Sequence, residues 1–237
     1  HHPGNLFNGK INPLIPYAIR GAIWYQGENN AGRGIPNLYG DQLSTLINDW
    51  RARWGQGDFP FAWVQLPNFR NLQKEPVEES GWVTVREEMT KTLKLKNTGM
   101  AVTLEAGEAN DIHPKDKQTV GHRLALWALA TVYGKKVPYE GPTLDKHEIK
   151  GSQIILKMKN IDGGMRVRGD ALKGFAIAGA DKKWVFANAR IDGDTIILNH
   201  DSVKEPMHAR YGWANNTVGN LFNGEGLSAG PFRTDKE

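Results

Sequence analysis

At 237 residues, 39% hydrophobic and 24% charged, with a mean hydropathy of -0.53, the chain has room for one domain with an appendage or for two small domains; disordered and fibrous classes are excluded. Thirty Lys and Arg against 26 Asp and Glu leave a net charge of +4, but the charges are interspersed, so no basic run invites nucleic acid. The most apolar stretch, Leu124 to Tyr133, is too short to cross a bilayer, and the absence of cysteine excludes disulfides, thiolate zinc sites and cysteine nucleophiles.

The chain opens on His1-His2, with neither an initiator Met nor an apolar leader, which reads as a start that is not a natural translation start. Short apolar runs then alternate with amphipathic stretches through residue 140, the pattern of an α/β unit with a mostly parallel sheet. Ala22 to Tyr25 reads as a buried strand followed at once by turn residues, Gly27 to Gly32. Leu43, Leu46, Ile47, Trp50 and Trp54 recur at helical spacing, predicting a helix that begins between Asn37 and Asp41 and stops near Gly55. Phe61 to Leu66 is a second strand, Val83 to about Leu95 a second helix, and Met100 to Leu104 a third strand. Asp111-Ile112-His113-Pro114 opens the last and longest helix, from about Lys115 to Tyr133, with Gly134 just past its end.

Beyond Pro138 the vocabulary changes to short β-rich pieces, Gln153 to Met158, Phe175 to Ala178, Trp184 to Phe186 and Thr195 to Leu198. Asp162-Gly163-Gly164 and Asp192-Gly193-Asp194 mark hairpins between them. The expected organisation is an α/β domain over 1–140 and an antiparallel, sandwich or jelly-roll-like domain over 141–237.

Two segments have the means for chemistry. Asp111 and His113 are two residues apart, so they point the same way when the segment is extended. A carboxylate accepting from one imidazole nitrogen fixes the tautomer and leaves the other nitrogen to take a proton from a hydroxyl. The plainer reading is that Asp111 caps the following helix. The second segment, Trp24-Tyr25-Gln26-Gly27-Glu28-Asn29-Asn30, lies at the carboxyl end of a strand, where open α/β sheets bind their ligands. There Gln26 offers amide donors to a developing oxyanion, and Glu28 can brace the loop.

The chain resembles the sialate O-acetylesterase group of the SGNH hydrolases. The resemblance rests on Leu6 to Leu14, Ile19 to Asn30, Asp111 to Pro114 with Lys117 to Ala125, Gly174 to Gly179, Val203-Lys204, Arg210 to Ala214, Gly226-Leu227 and Pro231 to Asp235, in order through almost the whole chain. It implies a flavodoxin-like parallel sheet flanked by helices and the hydrolysis of acetyl esters on sugars. By resemblance His113 is the general base, Asp111 its orienting carboxylate and Gln26 the side-chain oxyanion donor, with Asn29 competing for that last role. Trp24, Glu28 and Asn30 would meet substrate, and Trp82 and Trp213 are further candidates for lining a pocket. Many SGNH enzymes place the triad carboxylate three residues before the His, where this chain has Asn110, so Asp111 is chosen on charge.

The family's nucleophile belongs to an N-terminal Ser segment not found here: Ser44, Ser80, Ser152, Ser202 and Ser228 all lie outside any strand-to-helix elbow. The chain is therefore expected to be the C-terminal part of a longer esterase, paired with an N-terminal chain or segment of the same precursor, and its sheet to carry an exposed edge. A non-catalytic carbohydrate-binding fragment is the alternative. A third reading makes Glu105, Glu108, Asp111, His113 and Asp116 a metal site, but one His among scattered carboxylates is a poor zinc set, so no metal or other cofactor is expected. The sugar is sialic acid or a plant-cell-wall glycan such as xylan, and by analogy with where such glycans occur the compartment is the periplasm or the exterior.

Overall fold

The computed structural model describes residues 4–32 and 34–235; the His1-His2 start lies outside the described residues. Strands β1 (Ala22–Trp24), β2 (Phe61–Val64) and β3 (Thr98–Ala101) form a parallel sheet in that order, with Ala22 opposite Phe61 and Phe61 opposite Thr98. Helices α1 (Glu28–Gly32) and α2 (Tyr39–Trp54) connect β1 to β2, α3 (Gly81–Thr92) connects β2 to β3, and α4 (Lys117–Trp127) follows β3.

Alternate strand residues face opposite sides of the sheet, and each side has its own helices. Trp24, Phe61 and Trp63 pack with Leu43 and Ile47 of α2 and with Val85 and Met89 of α3. Ala62, Val64 and Ala101 face Val120, Leu124 and Trp127 of α4. The α4 side is lined by small residues because the helix lies close: a Cβ on Gly99 would stand 2.0 Å from Trp127 Nε1. The edge of β1 away from β2 has no strand partner among the described residues, and Ile23 on it is 70% exposed.

Helix ends depart from the sequence reading where a local hydrogen bond decides. Gly55 stops α2 as expected, at φ 63°, its N–H bonded to Arg51 O. α3 starts earlier than Val83 because Ser80 caps it, its Oγ accepting from Val83 N–H at 3.3 Å. α4 starts later than Lys115: Glu108 Oε1 takes the Lys115 N–H at 2.8 Å, and Asp116 is the cap, accepting from Thr119 N–H at 3.0 Å. Past Trp127 the chain continues as a π-turn over Ala128–Val132, so the longest α-helix is α2, at 16 residues, and not α4, at 11. Val102 to Leu104, expected to belong to β3, lie beyond its end at Ala101, and the chain turns away in a short 3-10 segment, Leu104–Ala106.

The rest of the chain is antiparallel. Its strands are β4 (Thr143–Lys150), β5 (Gln153–Lys159), β6 (Met165–Val167), β7 (Phe175–Ala178), β8 (Val185–Phe186), β9 (Asn188–Asp192), β10 (Thr195–Asn199), β11 (His208–Tyr211), β12 (Leu221–Asn223) and β13 (Phe232–Arg233). Sheets β4-β5-β10-β9 and β13-β11-β7-β8 enclose one core, with Ile154, Leu156 and Ile196 from the first meeting Ile177 and Tyr211 from the second. Asp192-Gly193-Asp194 turns the β9–β10 hairpin as expected. Asp162-Gly163-Gly164 does not turn a hairpin: β5 pairs in the first sheet and β6 with β12, so this turn carries the chain between sheets.

The β-rich half is bonded to the carboxyl edge of the parallel sheet. Phe69 N–H donates to Asn215 O at 3.1 Å, Gln73 N–H to Asn216 O at 2.8 Å and Glu78 N–H to Trp213 O at 2.9 Å. The Arg233 guanidinium grips both carboxylate oxygens of Glu87 on α3, at 2.6 and 3.0 Å.

Candidate active site

The loop after β1 is held from three sides. Gly27 has φ 149°, and a Cβ there would meet Met89 Cε at 2.9 Å and Val85 Cγ1 at 3.2 Å, so the backbone lies directly on α3. Tyr39 donates its hydroxyl to Gln26 O at 2.7 Å, and Gln26 Nε2 donates to Asn30 Oδ1 at 2.8 Å. Asn30 in turn donates to Gln42 Oε1 at 2.7 Å. One amide hydrogen of Gln26 is thus committed, which orients the other. Burial, with the charge of Glu28 adding to it, pushes the Tyr25 and Tyr39 phenols up to about 12, so both are neutral at physiological pH.

The segment after β3 is fixed from below by Ile112, which packs with the cluster that holds Trp82 and Phe69. Glu108 bridges to Phe69 on one side and Asp111 on the other. Ile112 points inward, and Asp111 and His113 face out together across a bend that the Asp111 side chain closes. His113 Nδ1 lies 4.0 Å from Asp111 Oδ1, and the same oxygen accepts the His113 backbone N–H at 2.8 Å. The His113 side chain is 85% exposed. Since Asp116 caps α4, Asp111 is not the helix cap.

A cavity of about 80 Å³ joins the strand ends: Glu28 after β1, Phe69 after β2, Ser80 and Trp82 at the start of α3, Ile112 after β3 and Asn215 from the β-rich half. Of the residues expected to meet substrate, Glu28 lines this cavity, while Asn30 serves the Gln26–Asn30–Gln42 relay. Trp24 packs edge-to-face on Trp50, 6.1 Å between centroids, beneath a different, open apolar groove. Trp82 is buried with its Nε1 bonded to Pro67 O at 2.9 Å, and Trp213 stacks against Arg210 at the junction between halves.

Among the described residues no serine hydrogen-bonds His113. Ser80 is at the cavity, but its hydroxyl donates to Asn215 Oδ1 at 2.8 Å and accepts the Val83 N–H, so it is spent as a helix cap. Ser202 bonds His200 Nδ1 at 2.8 Å within an exposed turn, and Ser228 accepts from buried Arg123. The acidic residues weighed as metal ligands are also dispersed. Glu105 pairs with Arg123, Glu108 holds Lys115 and Asp116 caps α4, and no group of three or more His, Asp or Glu converges among the described residues.

Sequence reasoning did not find Ser80 as the α3 cap, Asn215 at the cavity, or Arg86. The Arg86 side chain is fully buried and has no carboxylate partner among the described residues. A Ser ahead of Gly81-Trp82-Val83 was the available signal for the cap; a basic residue inside a helix gives no sign that it faces inward.

Residues 9–130 match the family model for carbohydrate esterases described as sialic acid-specific acetylesterase. The sialate O-acetylesterase of Pongo abelii is 32% identical over 231 residues, 88% of this chain and 43% of that protein. The Mus musculus sialate O-acetylesterase is 33% identical over 88% of this chain and 42% of its own length. The crystal structure of a carbohydrate acetylesterase from Xanthomonas citri superposes with a TM-score of 0.92 at 41% identity, over all of this chain and 55% of that one. The chain therefore spans about half the length of the relatives it matches. With half of its residues matched by the family model, the chain belongs to the sialic acid-specific acetylesterase family of carbohydrate esterases.

Proposed function

We propose that the chain supplies the base and the oxyanion donor of a carbohydrate O-acetylesterase, and that the nucleophilic serine comes from a further segment of the same precursor seated against β1. The observation that carries this reading is the placement of Asp111 and His113. Ile112 is anchored in the core, so both side chains project from the sheet's carboxyl edge beside the cavity that Glu28 lines.

His113 Nδ1 faces Asp111, which leaves Nε2 to take the serine proton as the hydroxyl oxygen attacks the acetyl carbonyl. The second amide hydrogen of Gln26 meets the oxyanion, with Asn29 as the competing donor. As the tetrahedral intermediate collapses, His113 returns the proton to the departing sugar oxygen, leaving an acetyl-serine. Water, deprotonated by His113, then releases acetate and restores the serine.

Two surface features and the order of the sheet support a covering segment. The outer edge of β1 is unpaired among the described residues, and Ile23 is exposed on one face of it. On the other face an open groove of about 800 Å³ is lined by Phe7, Ile11, Trp24, Leu38, Leu46 and Trp50. A doubly wound sheet also places its ligand where the strand order reverses, beyond the edge of a run such as β1-β2-β3. The acetyl ester is on sialic acid or on a plant-cell-wall glycan such as xylan, and the enzyme acts in the periplasm or outside the cell.

The test is acetate release from acetylated sialic acid and acetylated xylan by the assembled enzyme, with and without His113→Ala. Loss of about a thousandfold in kcat is expected for removal of a general base. Unchanged turnover would remove His113 from the mechanism.

A further inference from the structure

Arg86 is fully buried on α3, yet no carboxylate lies within ion-pair distance of it among the described residues. Its guanidinium is instead held by oxygens of two loops. From the loop after β2 it bonds Leu66 O and Pro67 O, both at 2.7 Å, and Asn68 Oδ1 at 3.3 Å. From the β-rich half it bonds Ala214 O at 2.7 Å and Asn215 O at 3.1 Å. Burial alone pulls its pKa down to about 9, still well above neutral, so the group is a cation under physiological conditions.

A buried charge without a counter-charge is costly, and here it is compensated only if every one of these carbonyls stays in place. Three further bonds close the same junction: Asn68 Nδ2 to Thr217 O at 3.1 Å, Thr217 N–H to Asn68 Oδ1 at 3.2 Å and Asn216 Nδ2 to Arg70 O at 2.7 Å. Arg70 is drawn into a left-handed conformation, φ 75°, between that bond and its own N–H to Ala109 O at 2.9 Å. Strain of this kind persists only where the surroundings over-determine the backbone.

The consequence falls on Asn215. Its one backbone carbonyl accepts from both the Arg86 guanidinium and the Phe69 N–H, its Oδ1 accepts from Ser80, and the residue lines the cavity at the strand ends. Its Nδ2 makes no hydrogen bond among the described residues, which leaves an amide donor at the cavity.

We propose that Asn215 is a specificity residue contributed by the β-rich half, its Nδ2 donating to an oxygen of the acetylated sugar, and that Arg86 is the positioning residue that sets it there. This deepens the esterase reading and rests on it. It makes the β-rich half part of the substrate site, and it predicts that sugar recognition and ester chemistry respond separately to substitution.

The assembled enzyme is assayed on peracetylated glucose and on para-nitrophenyl acetate, an ester with no sugar to recognise. Asn215→Ala is expected to lower kcat/KM for the sugar ester about tenfold, through KM, while para-nitrophenyl acetate stays within about twofold. Arg86→Lys keeps the charge but has fewer donors for the two loops; it is expected to show the same selective loss, and the double variant no more than either single one. Thermal melts of each variant separate folding from recognition. Equal losses on both esters, or an unchanged ratio, overturn the proposal. Failure of the unsubstituted enzyme on both esters would instead overturn the esterase reading itself.

Discussion

Asp111 and His113 face the same way with Nδ1 and Oδ1 4.0 Å apart, and the Asp111 oxygen nearest the ring is already accepting the His113 backbone N–H. The carboxylate therefore sets both the turn and the direction of the imidazole. Asp111→Asn keeps an acceptor for the N–H and loses the charge. The expected result is an enzyme with unchanged melting temperature and kcat lowered about a hundredfold or more, because an orienting carboxylate is worth that much to an imidazolium. If Asp111→Asn turned over at the normal rate while an Asn110 variant did not, the orienting role would pass to Asn110.

Gly27 carries the loop after β1 across α3. Gly27→Ala places a methyl 2.9 Å from Met89 Cε at a backbone angle that disfavours any side chain. A loss of about 1–3 kcal/mol in unfolding free energy is expected, with the loop displaced and kcat lowered beyond what the stability loss explains. Urea titration beside steady-state kinetics checks both; a variant equal to the parent in both would show that the loop does not depend on this contact.

Asp235 gives the fold an acid-sensitive joint. Burial raises its pKa, but hydrogen bonds from Arg210, and the charges of Arg210 and Arg233, outweigh this and hold the carboxyl below its ordinary value. A carboxyl so depressed contributes stability above the unfolded value of about 3.9, and that contribution is lost as pH falls through the folded pKa. The difference in urea midpoint between the parent and Asp235→Asn should be largest near neutral pH and shrink below pH about 4. A difference that stays constant on acidification would show that the pairing is not what the charge provides.

Ile23 on the free edge of β1 offers a direct check on the covering segment. Ile23→Lys puts a charge on a strand edge, the device by which natural sheets prevent pairing. The prediction is that the nucleophile-bearing segment no longer co-purifies with, or protects, this edge in hydrogen exchange. Undiminished protection of β1 amides would place the segment elsewhere.

The parallel sheet was legible because its strands are apolar runs whose two faces differ in size: Phe61 and Trp63 on one side, Ala62 and Val64 on the other. The stop at Gly55 follows from a local backbone rule and holds; Asp111 and His113 do share a direction, though across a bend rather than along an extended segment. β4 escaped because Asp145, Lys146, His147 and Glu148 are exposed on a sheet edge, with no apolar alternation to mark them. The start of α4 was misplaced because two aspartates precede it, and a residue outside the helix, Glu108, decides for Asp116 by taking the Lys115 N–H. Asn215 and Arg86 were illegible for a similar reason: their roles depend on bonds between residues more than a hundred positions apart.

The most direct test of the central claim is peptide mass mapping of the full-length active enzyme after treatment with an organophosphate. The account predicts one adduct, on a serine outside these 237 residues, and its loss in His113→Ala. An adduct on Ser80, or on any of Ser44, Ser152, Ser202 and Ser228, would contradict it.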